Sequence, residues 1–388
     1  MLSPETISTV KATAPVLEAR GLEITQLFYK KLFAGNPELL NIFNHNNQRN
    51  DTQARALADA VLAYARNLDN VEVLLPTVAR IANKHASLGV KAEHYPIVGK
   101  ALLETLQELL DLDASDPIIQ AWAEAYGVLA DVFVNTEEGL YRHSEKASGG
   151  WRGFREFEVT SVIQEAAEVR SFYLEPVDGK GLLPFLPGQY IGVNVQPKAS
   201  ENAAIRQYSL TGELGADYYR ITVKTEPNGC VSNHMHQLKA GDRVGVSPPA
   251  GVFTARPSAK QRVFIAGGVG ITPVYSMLLQ TLAEGAQSPL FIQCCRDASH
   301  QIYADELAEL KAEHNFDFKL AYENGEGANW QGYLDAEVLQ RWLTDPENVD
   351  VYFCGPMPFM KAINKALLEI AVPEDSIFYE VFGPNESL

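Results

Sequence analysis

Val263-Phe264-Ile265-Ala266-Gly267-Gly268-Val269-Gly270-Ile271-Thr272-Pro273 decides the architecture of the C-terminal third of the chain. Four apolar residues run without a polar break, as in a strand buried on both faces. Glycines follow at once, and the pattern predicts a helix from Pro273. Glycines let a backbone approach a pyrophosphate closely, and the N–H groups at a helix start stabilise its charge. Pro273 stands where the dinucleotide fingerprint G-x-G-x-x-G has its third glycine, so the stretch departs from that fingerprint. Apolar runs at 290–294 and 350–353 repeat the theme. Residues 259–388 therefore read as a parallel α/β domain.

Upstream the hydrophobic period changes to two. Phe157-Glu158-Val159-Thr160, Ile191-Gly192-Val193-Asn194-Val195 and Tyr219-Arg220-Ile221-Thr222-Val223 alternate, with Gly/Pro turns between them. Such short runs predict a small antiparallel β-barrel over 146–258, entered through a linker at 146–153 that holds Ser148, Gly149, Gly150 and Gly153. Residues 1–145 read as helices only. Val10, Ala14 and Leu17 recur at helical spacing, as do Leu27, Phe28 and Leu32, then Leu57, Val61 and Tyr64. Pro4, Pro37, Pro76, Pro96 and Pro117 fall at the breaks, and the spacing predicts a long helix from 117 to about 142. The fold class is multidomain: all-α, then antiparallel β-barrel, then α/β with a parallel sheet.

The chain has 388 residues, 46% hydrophobic and 21% charged, which excludes a disordered chain and a small disulfide scaffold. A net charge of −17 makes nucleic acid and anionic membranes poor partners. The N-terminus carries no basic region leading into an apolar stretch, so no signal peptide is expected. No apolar run approaches the roughly 18 residues of a membrane span. The cysteines, Cys230, Cys294, Cys295 and Cys354, form no CxxC pair, and a reducing cytoplasm is the expected location.

In the helical block, His85 shares an apolar face with Leu74, Val78 and Ile81. Phe43 follows a short turn begun by Pro37. Gln53 and Leu57 lie one turn apart on the next helix, and Tyr29 faces the same core. One histidine, a polar group opposite it and an apolar cage meet the needs of an iron porphyrin. Glu137 lies on the long helix among Tyr126, Ala130, Phe133 and Tyr141. It is either a rim glutamate or a buried carboxylate that needs a partner. Tyr95 stands at a helix start beside Pro96. A metal-bound imidazole needs its second nitrogen held by an acceptor.

This block resembles the globin fold, and specifically the haem domain of the flavohaemoglobins. Lys84-His85-Ala86-Ser87-Leu88-Gly89-Val90, followed by His94-Tyr95-Pro96, carries the resemblance most specifically. It implies His85 as the iron ligand, Tyr29, Phe43 and Gln53 on the distal side, and Tyr95 and Glu137 as a proximal network. Lys84 is implied as a charge that tunes the ligand, with a solvated surface lysine as the alternative.

The other two blocks resemble the ferredoxin-reductase-like flavoproteins. Arg206-Gln207-Tyr208-Ser209 matches their Arg-x-Tyr-Ser strand, which implies a guanidinium on the pyrophosphate, a ring over the isoalloxazine and a hydroxyl at flavin N5. Pro187-Gly188-Gln189-Tyr190 places Tyr190 near the adenine or ribityl side. Gly229-Cys230-Val231-Ser232 precedes a helical pattern that includes Met235 and Leu238, and points Ser232 at a phosphate. Gly268, Val269, Gly270, Ile271, Thr272 and Pro273 form the GGxGxTP turn for the nicotinamide nucleotide. Cys354-Gly355-Pro356-Met357-Pro358 puts a thiol beside the nicotinamide, or a small buried hydrophobe there. Glu380-Val381-Phe382-Gly383-Pro384 brings Phe382 to the flavin face, with Glu380 nearby, or is an apolar strand packed on the core.

The resemblance implies a nitric oxide dioxygenase with haem b, FAD and NAD(P)H, acting on O2 and NO, with no nucleic-acid, membrane or obligate protein partner. An NAD(P)H oxidase or peroxide reductase, and a reductase-coupled oxygen carrier or sensor, are the alternatives. Arg296 stands where a 2′-phosphate could be read, but Asp297 beside it would repel one, which favours NADH.

Overall fold

The structure, a computed structural model, describes residues 2–43, 52–198, 200–285 and 288–383, and of residues 52 and 53 the backbone only. The described residues fall into two compact units. The first comprises Met1–Ala147, Trp151–Phe154 and Asn194–Arg206, and the second the remainder.

The first unit is built on helices α1 (Pro4–Ala12), α2 (Ala14–Gly35), α3 (Thr52–Arg66), α4 (Leu75–Leu88), α5 (His94–Leu110) and α6 (Pro117–Lys146). Prolines sit in the first turns of α1, α2, α4 and α6, where the missing N–H costs nothing. Val10, Ala14 and Leu17 do not share one helix. Pro15 restarts the chain after Thr13, whose hydroxyl donates to Val10 O at 2.6 Å. The indole of Trp122, 2% exposed, closes the turn from α6 by donating to Thr13 Oγ1 at 3.2 Å. Burying a ring of that size contributes roughly 2–3 kcal/mol or more, so the contact ties α6 to the α1–α2 corner. Leu17, Ile24, Phe28 and Leu32 bury one stripe of α2, and Ala121, Trp122 and Ala125 bury a stripe of α6.

Strands β1 (Arg155–Ala166), β2 (Val169–Pro176), β3 (Tyr190–Val195), β4 (Ala204–Ser209), β5 (Tyr219–Lys224) and β6 (Arg243–Val246) form a sheet of order β4-β3-β6-β1-β2-β5 among the described residues. An antiparallel bridge between Leu210 and Ile221 joins its two edges, so the sheet closes into a barrel. Closure satisfies the backbone groups that an open edge would leave exposed. Helix α7 (Cys230–Met235) stops short of Leu238.

The remaining elements are β7 (Gln261–Gly267), α8 (Ile271–Glu284), β8 (Leu290–Cys295), α9 (Ala304–Glu313), β9 (Asp317–Tyr322), β10 (Trp330–Gln331), α10 (Ala336–Trp342), β11 (Val349–Cys354), α11 (Met357–Glu369) and β12 (Ile377–Glu380). Their parallel sheet has the order β10-β9-β8-β7-β11-β12. Val263, Ile265, Val351 and Phe353 point to one face, against Met360, Ile363 and Leu367 of α11. Phe264, Ala266 and Tyr352 point to the other, against Val274 and Leu278 of α8. Burial on both faces is why Val263–Ala266 of β7 and Val351–Phe353 of β11 read as apolar runs. Helix α8 begins at Ile271, two residues before the proline that signals it, because a 3-10 turn over Gly268–Gly270 leads directly into it. Among the described residues, no helix is long and apolar enough to cross a membrane.

Candidate functional site

His85 occupies the last turn of α4. Gly89 ends that helix with φ 72°, a left-handed conformation that glycine adopts without strain. The next amide, Val90 N–H, bonds back to His85 O at 3.0 Å. Tyr141 of α6 donates its hydroxyl to Val90 O at 2.6 Å, and Tyr126 of α6 donates to Tyr95 O at 2.7 Å. Two α6 tyrosines thus fix the end of α4 and the start of α5. Sequence reading placed both on the Glu137 face without a role; their spacing on one face was the available signal.

Between them lies Glu137, 2% exposed. Its Oε1 accepts the Tyr95 hydroxyl at 2.5 Å and stands 2.7 Å from His85 Nδ1. The structure thus brings His85, Tyr95 and Glu137 together, and the rim-glutamate alternative does not describe Glu137. The tyrosine hydroxyl also lies 3.2 Å from Nδ1. Burial, reinforced by the Glu137 hydrogen bond, holds the Tyr95 phenol above its ordinary value, so Tyr95 is a donor here. With Tyr95 donating to the carboxylate, Nδ1 carries the imidazole proton and donates to it as well, and the lone pair is left on Nε2. Phe133 lies 5.7 Å from the His85 ring and stacks on Tyr95. The imidazole keeps 32% of its side chain exposed, so its unbonded edge is reachable. Among the described residues, no group of three or more His, Cys, Asp or Glu side chains could hold a metal ion. His85 offers a metal a single nitrogen ligand, the contribution an iron porphyrin takes from its protein.

Tyr29 and Phe43 meet edge to face at 5.9 Å. Phe33, which the sequence reading omitted, stacks on Tyr29 at 5.7 Å and meets Phe43 at 5.3 Å. Gln53 has its backbone in α3, but its side chain lies outside the described residues. Lys84 is half-buried, and its carbonyl accepts the Ser87 hydroxyl at 2.7 Å.

On the barrel, Arg206, Gln207 and Tyr208 are half-buried along β4, and Arg206 Nη1 donates to Ile205 O at 2.7 Å. Ser209 is 5% exposed, and its hydroxyl oxygen is buried with no hydrogen-bond partner among the described residues. A buried hydroxyl without a partner costs roughly 1–3 kcal/mol, which a polar ring atom of a flavin laid along this strand would relieve. Tyr190 opens β3, 8% exposed, and bridges Ala250. Burial, and after it the Glu380 charge, pushes its phenol upward. Ser232 Oγ accepts Glu226 N–H at 3.1 Å and so closes the turn before α7.

At the sheet's C-terminal end, Gly268 and Val269 are half-buried, whereas Gly270, Ile271, Thr272 and Pro273 are buried. A side chain at Gly270 would collide with the carbonyl of Cys354, so only glycine lets β7 and β11 run on side by side here. Thr272 Oγ1 donates to Val269 O at 3.1 Å. Ile271, Thr272 and Pro273 are buried, which leaves Gly268 and Val269 as the turn's accessible edge. Cys354 ends β11, fully buried, with Ala266 and Glu380 as its neighbours across the sheet. Burial, and then the Glu380 charge, raises its thiol far above the ordinary value and keeps it neutral. Glu380 therefore acts on both Tyr190 and Cys354. Beyond it, Val381 packs on the core, Phe382 is 47% exposed and Gly383 has φ 147°. Pro384 lies outside the described residues.

Three domain families match the chain: Globin over residues 26–133, Oxidoreductase FAD-binding domain over 156–254 and Oxidoreductase NAD-binding domain over 264–365. The flavohemoprotein of Halalkalibacterium halodurans is 43% identical over all of this chain and 98% of its own length. Flavohemoprotein A of Dictyostelium discoideum is 42% identical over 99% of this chain and 98% of its own. Among solved structures, the Malassezia yamatoensis flavohemoglobin with bound FAD and heme covers 98% of this chain and 100% of its own, with TM-score 0.88 and 28% identity. The FAD/NAD-binding domain of a Vibrio cholerae nitric oxide dioxygenase covers 60% of this chain and 100% of its own, with TM-score 0.57 and 36% identity. Matched along its whole length at this identity, the chain belongs to the flavohemoproteins, oxidoreductases that join a haem globin to FAD- and NAD-binding domains.

Proposed function

We propose that the chain is a nitric oxide dioxygenase. The observation that carries this reading is the 2.7 Å contact between His85 Nδ1 and the buried carboxylate of Glu137. When bound, haem supplies the iron that takes O2, FAD splits an electron pair into single electrons, and reduced nicotinamide supplies the pair. Each turnover joins one NO, one O2 and one electron into nitrate, so each nucleotide serves two turnovers.

The residues then have separable tasks. His85 offers Nε2 to iron, while Glu137 accepts from Nδ1 and gives the ring part of an imidazolate's donor strength. Tyr95 shares the carboxylate and keeps it from rotating away. That donor strength at His85 would favour catalysis over simple oxygen carriage. Tyr29 would serve the distal face, a role the resemblance also gives Gln53, and Phe43 would border the porphyrin. Lys84 flanks the ligand as a positive charge. Arg206 and Ser232 would hold flavin phosphate, Gln207 and Tyr208 would hold the ring system, and the Ser209 hydroxyl would reach N5. Tyr190 supports the flavin from β3. Gly268 and Gly270 admit the nucleotide pyrophosphate, Cys354 borders the nicotinamide, and Glu380 and Phe382 close the flavin side.

The test is a single-turnover mix of the reduced, oxygenated protein with NO under excess NADH. Stoichiometric nitrate within the mixing time is expected. Oxygen uptake without NO, with sustained peroxide release, would assign an oxidase instead. Slow ligand loss without nitrate would assign a carrier.

A further inference from the structure

Arg220 lies on β5, outside every motif above, and is 6% exposed. A buried guanidinium is costly unless each N–H finds an acceptor. Here Nη1 donates to Glu306 Oε1 at 2.7 Å, and Nη2 to Glu306 Oε2 at 3.2 Å and Thr211 O at 2.9 Å. Nε donates to Thr211 Oγ1 at 3.2 Å. The group also lies over the rings of Tyr303, at 4.8 Å, and Tyr275, at 5.7 Å. Tyr275 donates its hydroxyl to the same Glu306 carboxylate at 2.6 Å.

The partners belong to different modules. Thr211 is two residues past Ser209, and its N–H bonds Arg220 O at 2.9 Å where the barrel closes. Glu306 is in the first turn of α9. Tyr275 is on α8, directly after the Gly268–Gly270 turn. One planar group therefore grips the strand of the Ser209 hydroxyl and two helices of the nucleotide domain.

We infer that Arg220 is a positioning residue for hydride transfer, fixing with Glu306 the spacing between the Ser209 strand and the bound nicotinamide. The inference rests on the flavin lying along Tyr208 and Ser209. In the step, the C4–H bond of the reduced nicotinamide breaks and an N–H bond forms at flavin N5, with the electron pair travelling with the hydrogen. Arg220 touches neither ring and exchanges no proton. Its effect falls on the distance across which the hydrogen moves, and small misplacements there are expensive. Lysine would keep the charge but lose the fork that spans both modules.

The experiment is anaerobic stopped-flow reduction of the FAD- and haem-loaded Arg220→Lys enzyme by NADH and by 4-deuterated NADH. The limiting rate is expected to fall about tenfold. Half-saturating NADH and flavin content should stay unchanged, the deuterium effect should rise, and the long-wavelength nicotinamide–flavin band should weaken. Glu306→Gln weakens the fork from the other side and should give the same pattern. An unchanged limiting rate in folded, flavin-loaded variants would overturn the proposal. So would loss of flavin or of folding in both, since the pair would then be structural only. Ser209→Ala, run in parallel, reports on the hydroxyl contact alone: an unchanged rate there, beside slow Arg220→Lys, would remove the Ser209 Oγ–N5 contact while supporting the spacing role of Arg220.

Discussion

His85 and Glu137 lie 52 residues apart and meet at 2.7 Å through Nδ1 and Oε1. The contact joins the end of α4 to the middle of α6 and sets the imidazole's tautomer. It also makes the histidine's removal more informative than an ordinary core substitution. His85→Ala should leave the haem band nearly absent in purified protein while the flavin bands persist. Glu137 would retain Tyr95, so the helices should still fold. Full haem loading with unchanged axial ligation would refute the assignment.

Glu137→Gln should lower NO-dependent turnover by about tenfold or more, as loss of a ligand's outer partner does. Reduction of FAD by NADH should not change. Tyr95→Phe should act in the same direction and less strongly. Because both residues serve one carboxylate contact, the double variant should cost less than the sum of the singles. The iron–histidine stretch is the readout beside turnover. Full turnover with an unshifted stretch in both singles would make the triad structural only.

Ser209→Ala should slow flavin reduction by about tenfold, with a smaller effect on flavin affinity, if its buried hydroxyl takes the proposed place at flavin N5, where charge changes. Transient absorbance decides this, and equal rates in the two proteins would remove Ser209 from the step.

Glu165 gives a pH signature. Its Oε1 is buried without a hydrogen-bond partner among the described residues. Burial raises its carboxyl above the ordinary 4.5, against the lowering effect of Ser171; Glu306 raises it further and Arg220 lowers it. A raised folded value means that the neutral form is the stabilised one. Its contribution is complete below the ordinary carboxylate range and is lost as pH rises through the folded value. Glu165→Gln, neutral throughout, should therefore unfold about 1–3 °C higher than the parent at pH 7. The two midpoints should converge below about pH 4. Calorimetry across that range checks the sign, and a lower midpoint for the variant at neutral pH would contradict it.

Some of this was legible in the residues. Helical spacing put Glu137 among Phe133 and Tyr141, and that face turned out to be where the histidine ends its helix. The apolar runs of β7 and β11 announced a doubly covered sheet. Arg220 was hidden because Tyr219-Arg220-Ile221-Thr222-Val223 alternates, so it reads as a solvent-facing position. The face is covered by α9, whose Glu306 is 86 residues away, a pairing that no local pattern encodes. Ile271 and Thr272 were read as cofactor contacts because the motif is contiguous. The backbone turns helical at Ile271 and rotates both side chains inward, which spacing alone does not disclose.

The central place of β7 also governs how the chain is assembled over time. Its neighbours are β8, soon after it, and β11, whose Val349 pairs with Gln261 only once the whole intervening segment has been made. Closing so long a loop is slow; the helical domain closes one as long, where Trp122 reaches back to Thr13, but its chain is made first. The globin domain can therefore consolidate while the FAD- and NAD-binding domains are still incomplete. On the ribosome, completing the parallel sheet is therefore the last step before a working molecule appears.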